Sequence, residues 1–324
     1  MSNITPKSLE ALLKRLIDYA GLFPPASLPL DQAFKNFIEY TSGDYNWMLS
    51  NFIIPAKKLD ELTQLIQGAN AVNPLRFSIL GTGGNTVDDF NDSFKNDIEA
   101  WKKFLTDNEG KVKTKFYEVK LPQELIASQD SGDIGDFVET VSSNVADSIG
   151  KDTILFFEAT PGSEWRTDIS AAIEGIKIHD IDIYNTGFKL RTGGTNAADF
   201  PLPEVVAFTI RECLNRQIAL KFTAGLHHPF RHRDEEFRKR IHGFINIFAA
   251  GAIAIRHNIS EYELINILEE EDPATFEFTD EYFSWDKYRV TAEDIKYSRE
   301  ALTISFGSCS FTEPIEDLQK LNLL

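Results

Sequence analysis

Thr153-Ile154-Leu155-Phe156-Phe157-Glu158 is followed by the turn Pro161-Gly162, by the amphipathic stretch Trp165–Lys177 and by a second strand-like run, Asn185–Arg191. β-Branched and aromatic side chains in a short run favour an extended chain, and a Pro-Gly pair ends it. Strand, helix and strand in that order, with short connections, describe a parallel pair joined by a crossover helix.

The same phrase recurs along the chain. Seven further or overlapping runs read as strands: Tyr19–Phe23, Trp47–Ile54, Arg76–Leu80, Lys113–Val119, Asn185–Arg191, Ile218–Thr223 and Thr303–Gly307. Turns such as Pro24-Pro25, Pro55-Ala56, Gly81-Thr82-Gly83-Gly84, Gly193-Gly194 and Gly225 close them. Helical spacing predicts helices over Ser8–Ile17, Lys58–Gln67, Asp89–Leu105, Ile134–Asp147, Pro203–Asn215 and His242–His257. Eight strands alternating with helices predict a (β/α)8 TIM-type barrel spanning residues 1–324 as a single domain, with a doubly wound open sheet as the alternative. An aromatic-rich insert at about residues 273–288, with Phe276-Glu277-Phe278 and Tyr282-Phe283-Ser284-Trp285, reads as a small hairpin or cover before the last strand.

The 324 residues carry 33 basic and 50 acidic side chains, a net charge of −17. So acidic a surface repels phosphate backbones and anionic lipid, which disfavours nucleic-acid and membrane-surface roles but leaves room for a local anion-binding pocket. The longest apolar run, Gly243–Ile255, is about 13 residues and holds Asn246, whereas a membrane span needs roughly 20. Met1-Ser2-Asn3-Ile4-Thr5-Pro6-Lys7 lacks a secretory pattern, and Cys213 and Cys309 are too few for a disulfide framework. A soluble, cytoplasmic protein is the expectation.

In a parallel barrel alternate side chains point inward, and the last inward ones meet at the carboxyl-terminal rim, where barrel enzymes place their sites. The alternation groups Thr114, Phe116 and Glu118; Ile154, Phe156 and Glu158; Gly187, Lys189 and Arg191; and Ala219, Lys221 and Thr223. Leu190, Leu220 and Phe222 fall on the opposite face, beneath the helices. Four adjacent strands would then deliver Glu118, Glu158, Lys189, Arg191 and Lys221 to one rim. Charges inside a barrel are costly unless paired or used. A structural set of ion pairs and a reactive site are the two readings.

Loops add further candidates. Thr223-Ala224-Gly225-Leu226-His227-His228-Pro229 is the densest polar loop, and in extended chain only one of His227 and His228 would face the pocket. His232 lies in the charged run Arg231–Arg240 and reads as part of a solvated face. His242 and Asn246 share a helical face and would look toward that loop or simply pack. His179 and His257 read as structural or exposed. Ser308, Cys309 and Ser310 precede a helix that Thr312 would cap, with Pro314 in its first turn, and small residues there can offer backbone N–H groups to an anion. Gly193 and Gly194 would let a ligand approach the backbone. Cys309 as a nucleophile needs a neighbouring base, which the sequence does not place.

Ala20-Gly21-Leu22-Phe23-Pro24-Pro25-Ala26, Lys189-Leu190-Arg191-Thr192-Gly193-Gly194, Thr223–Pro229 and Phe306-Gly307-Ser308-Cys309-Ser310-Phe311 together resemble a family of uncharacterised proteins of about this length. That resemblance spans nearly the whole chain and brings no activity. Lys221-Phe222-Thr223-Ala224-Gly225 is similar to the lysine-bearing strand of deoxyribose-phosphate aldolases, which are Schiff-base barrels; Phe222 and the following His227-His228 depart from that pattern.

Three functions fit these residues. A lyase or aldolase acting on a small anionic oxygenated compound would form an imine on Lys221, or second on Lys189, with Glu118 or Glu158 moving protons and Arg191 binding the anion. No cofactor is required for it, and a second cation beside a lysine would depress its pKa. A divalent-metal isomerase or hydrolase would use Glu118, Glu158 and one of His227 and His228 as ligands. A non-catalytic small-molecule binding protein would use the same pocket.

Overall fold

The computed structural model describes residues 5–69, 74–178 and 185–324. From the N terminus, β1 (Ile17–Tyr19), β2 (Leu49–Pro55), β3 (Leu75–Leu80), β4 (Val112–Lys120), β5 (Ile154–Glu158), β6 (Asn185–Arg191) and β7 (Ala219–Thr223) enter a barrel. Two hairpin strands, β8 (His232–Asp234) and β9 (Lys239–Ile241), and three insert strands, β10 (Phe276–Phe278), β11 (Tyr282–Trp285) and β12 (Tyr288–Thr291), follow before β13 (Thr303–Ser308) completes it. Eight parallel strands close in the order β1-β13-β7-β6-β5-β4-β3-β2, the expected TIM-type architecture.

The helices are α1 (Lys7–Leu13), α2 (Leu30–Ser42), α3 (Leu59–Gln67), α4 (Val87–Asp107), α5 (Gln123–Ser128), α6 (Ser131–Ser148), α7 (Trp165–Ile178), α8 (Pro203–Arg216), α9 (Phe244–His257), α10 (Glu261–Glu269), α11 (Ala292–Ala301) and α12 (Thr312–Lys320). Among the described residues no helix is long and apolar enough to cross a membrane. The chain divides into two compact units, residues 1–26, 43–50 and 190–324 in one and 27–42 with 51–189 in the other.

In the 51–189 unit, β4 departs from simple alternation. Phe77 pairs with Thr114 but Ser78 pairs with Phe116, so Lys115 is an extra residue in the ladder. Such a bulge switches the face that each side chain takes. Thr114 Oγ1 therefore accepts a hydrogen bond from Trp101 Nε1 of α4 at 2.9 Å, and Tyr117 stacks on the same indole at 5.4 Å. The predicted inward set is corrected: Thr114 faces α4, whereas Phe116, edge-on to Phe156 at 5.4 Å, and Glu118 take the other side.

A second bulge shapes the other unit. Thr303 pairs with Leu220 and Phe306 with Phe222, which leaves one residue too many on β13. Thr303 and Phe306 both pack toward α9, Phe306 stacking on Phe244 at 5.4 Å, while Ser305 turns to the opposite face and bonds Asp18. Phe222 meets Phe248 of α9 at 5.6 Å, as its predicted outward orientation requires.

The start of the chain is also corrected. Helix α1 ends at Leu13 because Lys14 is extended and Arg15 adopts a φ of 49°. The buried Arg299 guanidinium satisfies the freed carbonyl of Leu12 and reaches Lys14 O at 3.3 Å and Thr303 O from Nε at 2.9 Å. Burial pushes its pKa down to about 9, against the attraction of Asp18. Leu16, whose helical spacing from Leu9 and Leu12 extended the predicted helix, instead leads into β1 at Ile17; Ala20–Phe23 is turn, and the Pro24–Pro25 bond is cis.

The insert is a three-stranded antiparallel sheet rather than a hairpin, with Phe276 opposite Trp285 and Phe283 opposite Val290. Its aromatic rings stack on one another, Phe278 on Phe283 at 4.8 Å, and Ser8 Oγ of α1 donates to Thr279 O at 2.7 Å.

Candidate active site

Within the 51–189 unit a buried lysine sits between two carboxylates. The β5–β6 ladder sets Glu158 directly opposite Lys189, and Glu118 projects from β4. Lys189 Nζ lies 2.9 Å from Glu118 Oε2 and 3.1 Å from Glu158 Oε2, all three side chains being 5% exposed or less. Ser78 Oγ donates to Glu118 Oε1 at 2.5 Å. Burial alone would push the Lys189 pKa down; the two carboxylates outweigh it and hold the ammonium above its ordinary range. The expectation that Lys189 is depressed toward a neutral amine is overturned. Its carboxylate neighbours favour the charged form.

The other unit holds a different arrangement. Lys221 Nζ, from the middle of β7, is 2.9 Å from Asp18 Oδ2 of β1, with side chains 1% and 0% exposed. Ser305 Oγ of β13 donates to the same oxygen at 2.6 Å. The β1–β13 and β13–β7 ladders make these three strands neighbours, and the β13 bulge aims Ser305 at Asp18. Arg191 ends β6 exposed, its Nη1 donating to Gly193 O at 3.2 Å.

After β7 the chain turns through Ala224 (φ 63°) and Gly225 (φ 75°) before it reaches the two histidines. Both reach one face of α12: His227 Nδ1 contacts Glu313 Oε2 at 2.8 Å, and His228 Nδ1 bonds Asp317, one helical turn on. The expectation that the pair points apart is corrected. His227 Nε2 lies 4.0 Å from Cys309 Sγ, in the segment between β13 and α12. Burial opposes the charge on His227, but the Cys309 thiol and Glu313 carboxylate prevail and its pKa is pushed up to about 9. The same hydrogen bond from His227 holds Glu313 below the usual carboxylate range. His232 packs its ring edge-on to His228 with centroids 4.3 Å apart, half-buried rather than on a solvated face.

Several candidates have structural occupations. Asn246 Oδ1 accepts from Arg231 N at 2.8 Å, while Nδ2 donates to Ile267 O at 2.9 Å and Glu270 O at 2.8 Å, so its amide ties the β7–α9 connection to α10. His242 is 1% exposed and its Nε2 donates to Pro201 O at 2.8 Å; burial pushes its pKa down to about 4. Both side chains are engaged within the chain. Gly193 abuts Gly225, where a Cβ would come within 2.5 Å of the Gly225 Cα, and a Cβ on Gly194 would meet Asp199. Thr223 carbonyl accepts from Thr192 N at 2.8 Å.

Ser308 Oγ accepts from Ser310 N at 3.3 Å, and Ser310 Oγ accepts from Glu313 N at 3.1 Å, so Ser310 rather than Thr312 caps α12 and these two N–H groups are spent within the chain. Glu313 adds negative charge at the same helix start. His257 Nε2 donates to Arg289 O at 2.8 Å, and His179 lies outside the described residues.

Among the described residues no group of three His, Cys, Asp or Glu side chains is arranged to hold a metal ion. Between Glu118 and Glu158 the Lys189 ammonium stands where a divalent ion would have to sit. Asp18, Ser78 and Ser305 were not singled out in the sequence. Asp18 was hidden by the misplaced first strand, although a lone carboxylate in Leu16-Ile17-Asp18-Tyr19 was a usable signal. No family model matches the chain, and no curated protein matches it.

Proposed function

We propose that the chain is a barrel enzyme in which Lys221 forms an imine with the carbonyl group of a small, anionic, oxygenated substrate, in a lyase or aldolase reaction. The observation that carries this reading is the fully buried Lys221–Asp18 pair at 2.9 Å, with Ser305 on the same carboxylate oxygen. A buried ion pair adds little stability compared with apolar residues of the same volume, so a function for its charges is the better account of it. Enzymes with this fold draw catalytic groups from the carboxyl-terminal halves of their strands.

In the resting state Asp18 balances the ammonium. In the proposed reaction one proton passes from Lys221 to Asp18, 2.9 Å away, which frees the amine lone pair. The amine adds to the carbonyl carbon, water leaves, and the protonated imine becomes an electron sink for cleavage of the adjacent C–C bond. Arg191, exposed at the end of β6, is proposed as the group that meets the substrate anion. Glu118 and Glu158, engaged by Lys189, are proposed as a fixed charge cluster.

The test is reductive trapping. Purified protein is incubated with pyruvate or glyoxylate and borohydride, and the adduct is mapped by peptide mass spectrometry. The expected adduct is on Lys221 and is absent from Lys221→Met. Labelling confined to exposed lysines, or unchanged in the variant, overturns the imine reading; binding of the same compounds without trapping favours a non-catalytic binding protein.

A further inference from the structure

We propose that Cys309, His227 and Glu313 form a nucleophilic triad that accepts an acyl group, a capacity separate from the imine chemistry of Lys221. Two contacts to one imidazole converge. Cys309 Sγ is 4.0 Å from His227 Nε2, and the opposite ring nitrogen, Nδ1, is 2.8 Å from Glu313 Oε2. Nucleophile, base and orienting carboxylate are thus in sequence around one imidazole, the relation required of an activated thiol. A thiol–imidazole contact at the long end of hydrogen bonding is common before substrate arrives and draws it in.

The placement fits as well. Cys309 directly follows β13, at the carboxyl-terminal end where barrel sites are built, and precedes α12 by two residues. Cys309 is 9% exposed and His227 has 19% of its side chain exposed, so the sulfur is covered but not sealed. The other cysteine, Cys213, is 0% exposed inside α8, and burial pushes its thiol far up, out of reach of thiolate chemistry. One protein therefore contains the reactive thiol and its inert control. His228, paired with Asp317 of α12, and His232, edge-on to His228, stand beside the triad.

The chemistry balances with an ester and water alone. In its neutral form, which becomes more populated as pH rises toward 9, His227 takes the thiol proton, the sulfur attacks the acyl carbon, and the C–O bond to the leaving group breaks. The departing oxygen receives the proton from His227. Water then attacks the thioester with His227 as base, which releases the acid and restores the thiol.

The probe is p-nitrophenyl acetate, followed by release of nitrophenolate and by mass mapping of the acetylated peptide. The expected result is a burst matching one acetyl group on the Cys309 peptide, none on Cys213. His227→Gln lowers the acylation rate by about 100-fold while leaving Cys309 open to alkylation in denaturant. Glu313→Gln, a positioning change, keeps a slower reaction and moves its pH profile to lower pH, because the carboxylate no longer supports the imidazolium. Acetylation absent from Cys309, equal on both cysteines, or undiminished in His227→Gln overturns the triad. Circular dichroism of each variant separates loss of the site from loss of fold, and Cys309→Ser leaves Lys221 trapping intact, so the two proposals fail independently.

Discussion

Lys221 on β7 and Asp18 on β1 form a 2.9 Å ion pair although neither strand is next to the other; β13 lies between them and adds its Ser305 hydroxyl to the same oxygen. Two strands that are far apart in sequence and separated in the sheet thus share one buried charge centre.

Removing one partner of that pair strands the other. Asp18→Asn is expected to destabilise the fold by about 3–5 kcal/mol, because an ammonium would remain in a dry interior without its carboxylate. The double variant Asp18→Asn, Lys221→Met is expected to regain most of that loss. Urea unfolding of the two single variants and the double variant measures the coupling; additive losses would show that the pair is not energetically linked.

Lys189 plays the same part for Glu118 and Glu158. In Lys189→Met two buried carboxylates face each other without the ammonium between them, Lys120 Nζ staying 4.0 Å from Glu158 Oε1, and one of them is expected to take up a proton, its pKa raised by burial and by its neighbour. Stability should then fall as pH rises through that raised value, since the unfolded chain ionises freely. Wild-type Lys189, whose own pKa is raised in the fold, keeps its full contribution below the unfolded lysine value and loses it only above. Thermal midpoints from pH 5 to 8 should decline in the variant and stay level around this site in the wild type.

His242 produces an acid-side effect. Its folded pKa of about 4 lies below the ordinary 6.5, so between those values the unfolded chain holds a proton that the folded chain lacks. Stability falls as pH drops through that window, by at most about 1.4 kcal/mol per pH unit. His242→Gln can still donate to the Pro201 carbonyl and does not titrate, so urea midpoints between pH 4 and 7 should slope less steeply than in the wild type. Parallel slopes would remove His242 from the acid response.

Much of the architecture was legible because it rests on local patterns. β6 was read at its observed bounds, Asn185–Arg191, and β5 and β7 within one residue, since each is a short apolar run closed by a turn signal. Glu118, Glu158, Lys189 and Lys221 stood out as charges placed in such runs, and all four are buried. The first strand was missed because Leu16 fits helical spacing as well as extended chain, and only the positive φ at Arg15 separates the two.

The sequence by itself determined the alternation of strand and helix and the placing of charges within the strands, while closure into a barrel rather than an open sheet is given by the strand order. Period and turn chemistry are local, so neighbouring residues suffice to set them. Tertiary structure decided who pairs with whom. Bulges at Lys115 and beside Ser305 exchanged the faces of Thr114 and Ser305, and the loop after Gly225 carried both histidines to α12 and His227 to Cys309. Those outcomes depend on ladder register and on contacts between segments far apart in the chain, which no local pattern records.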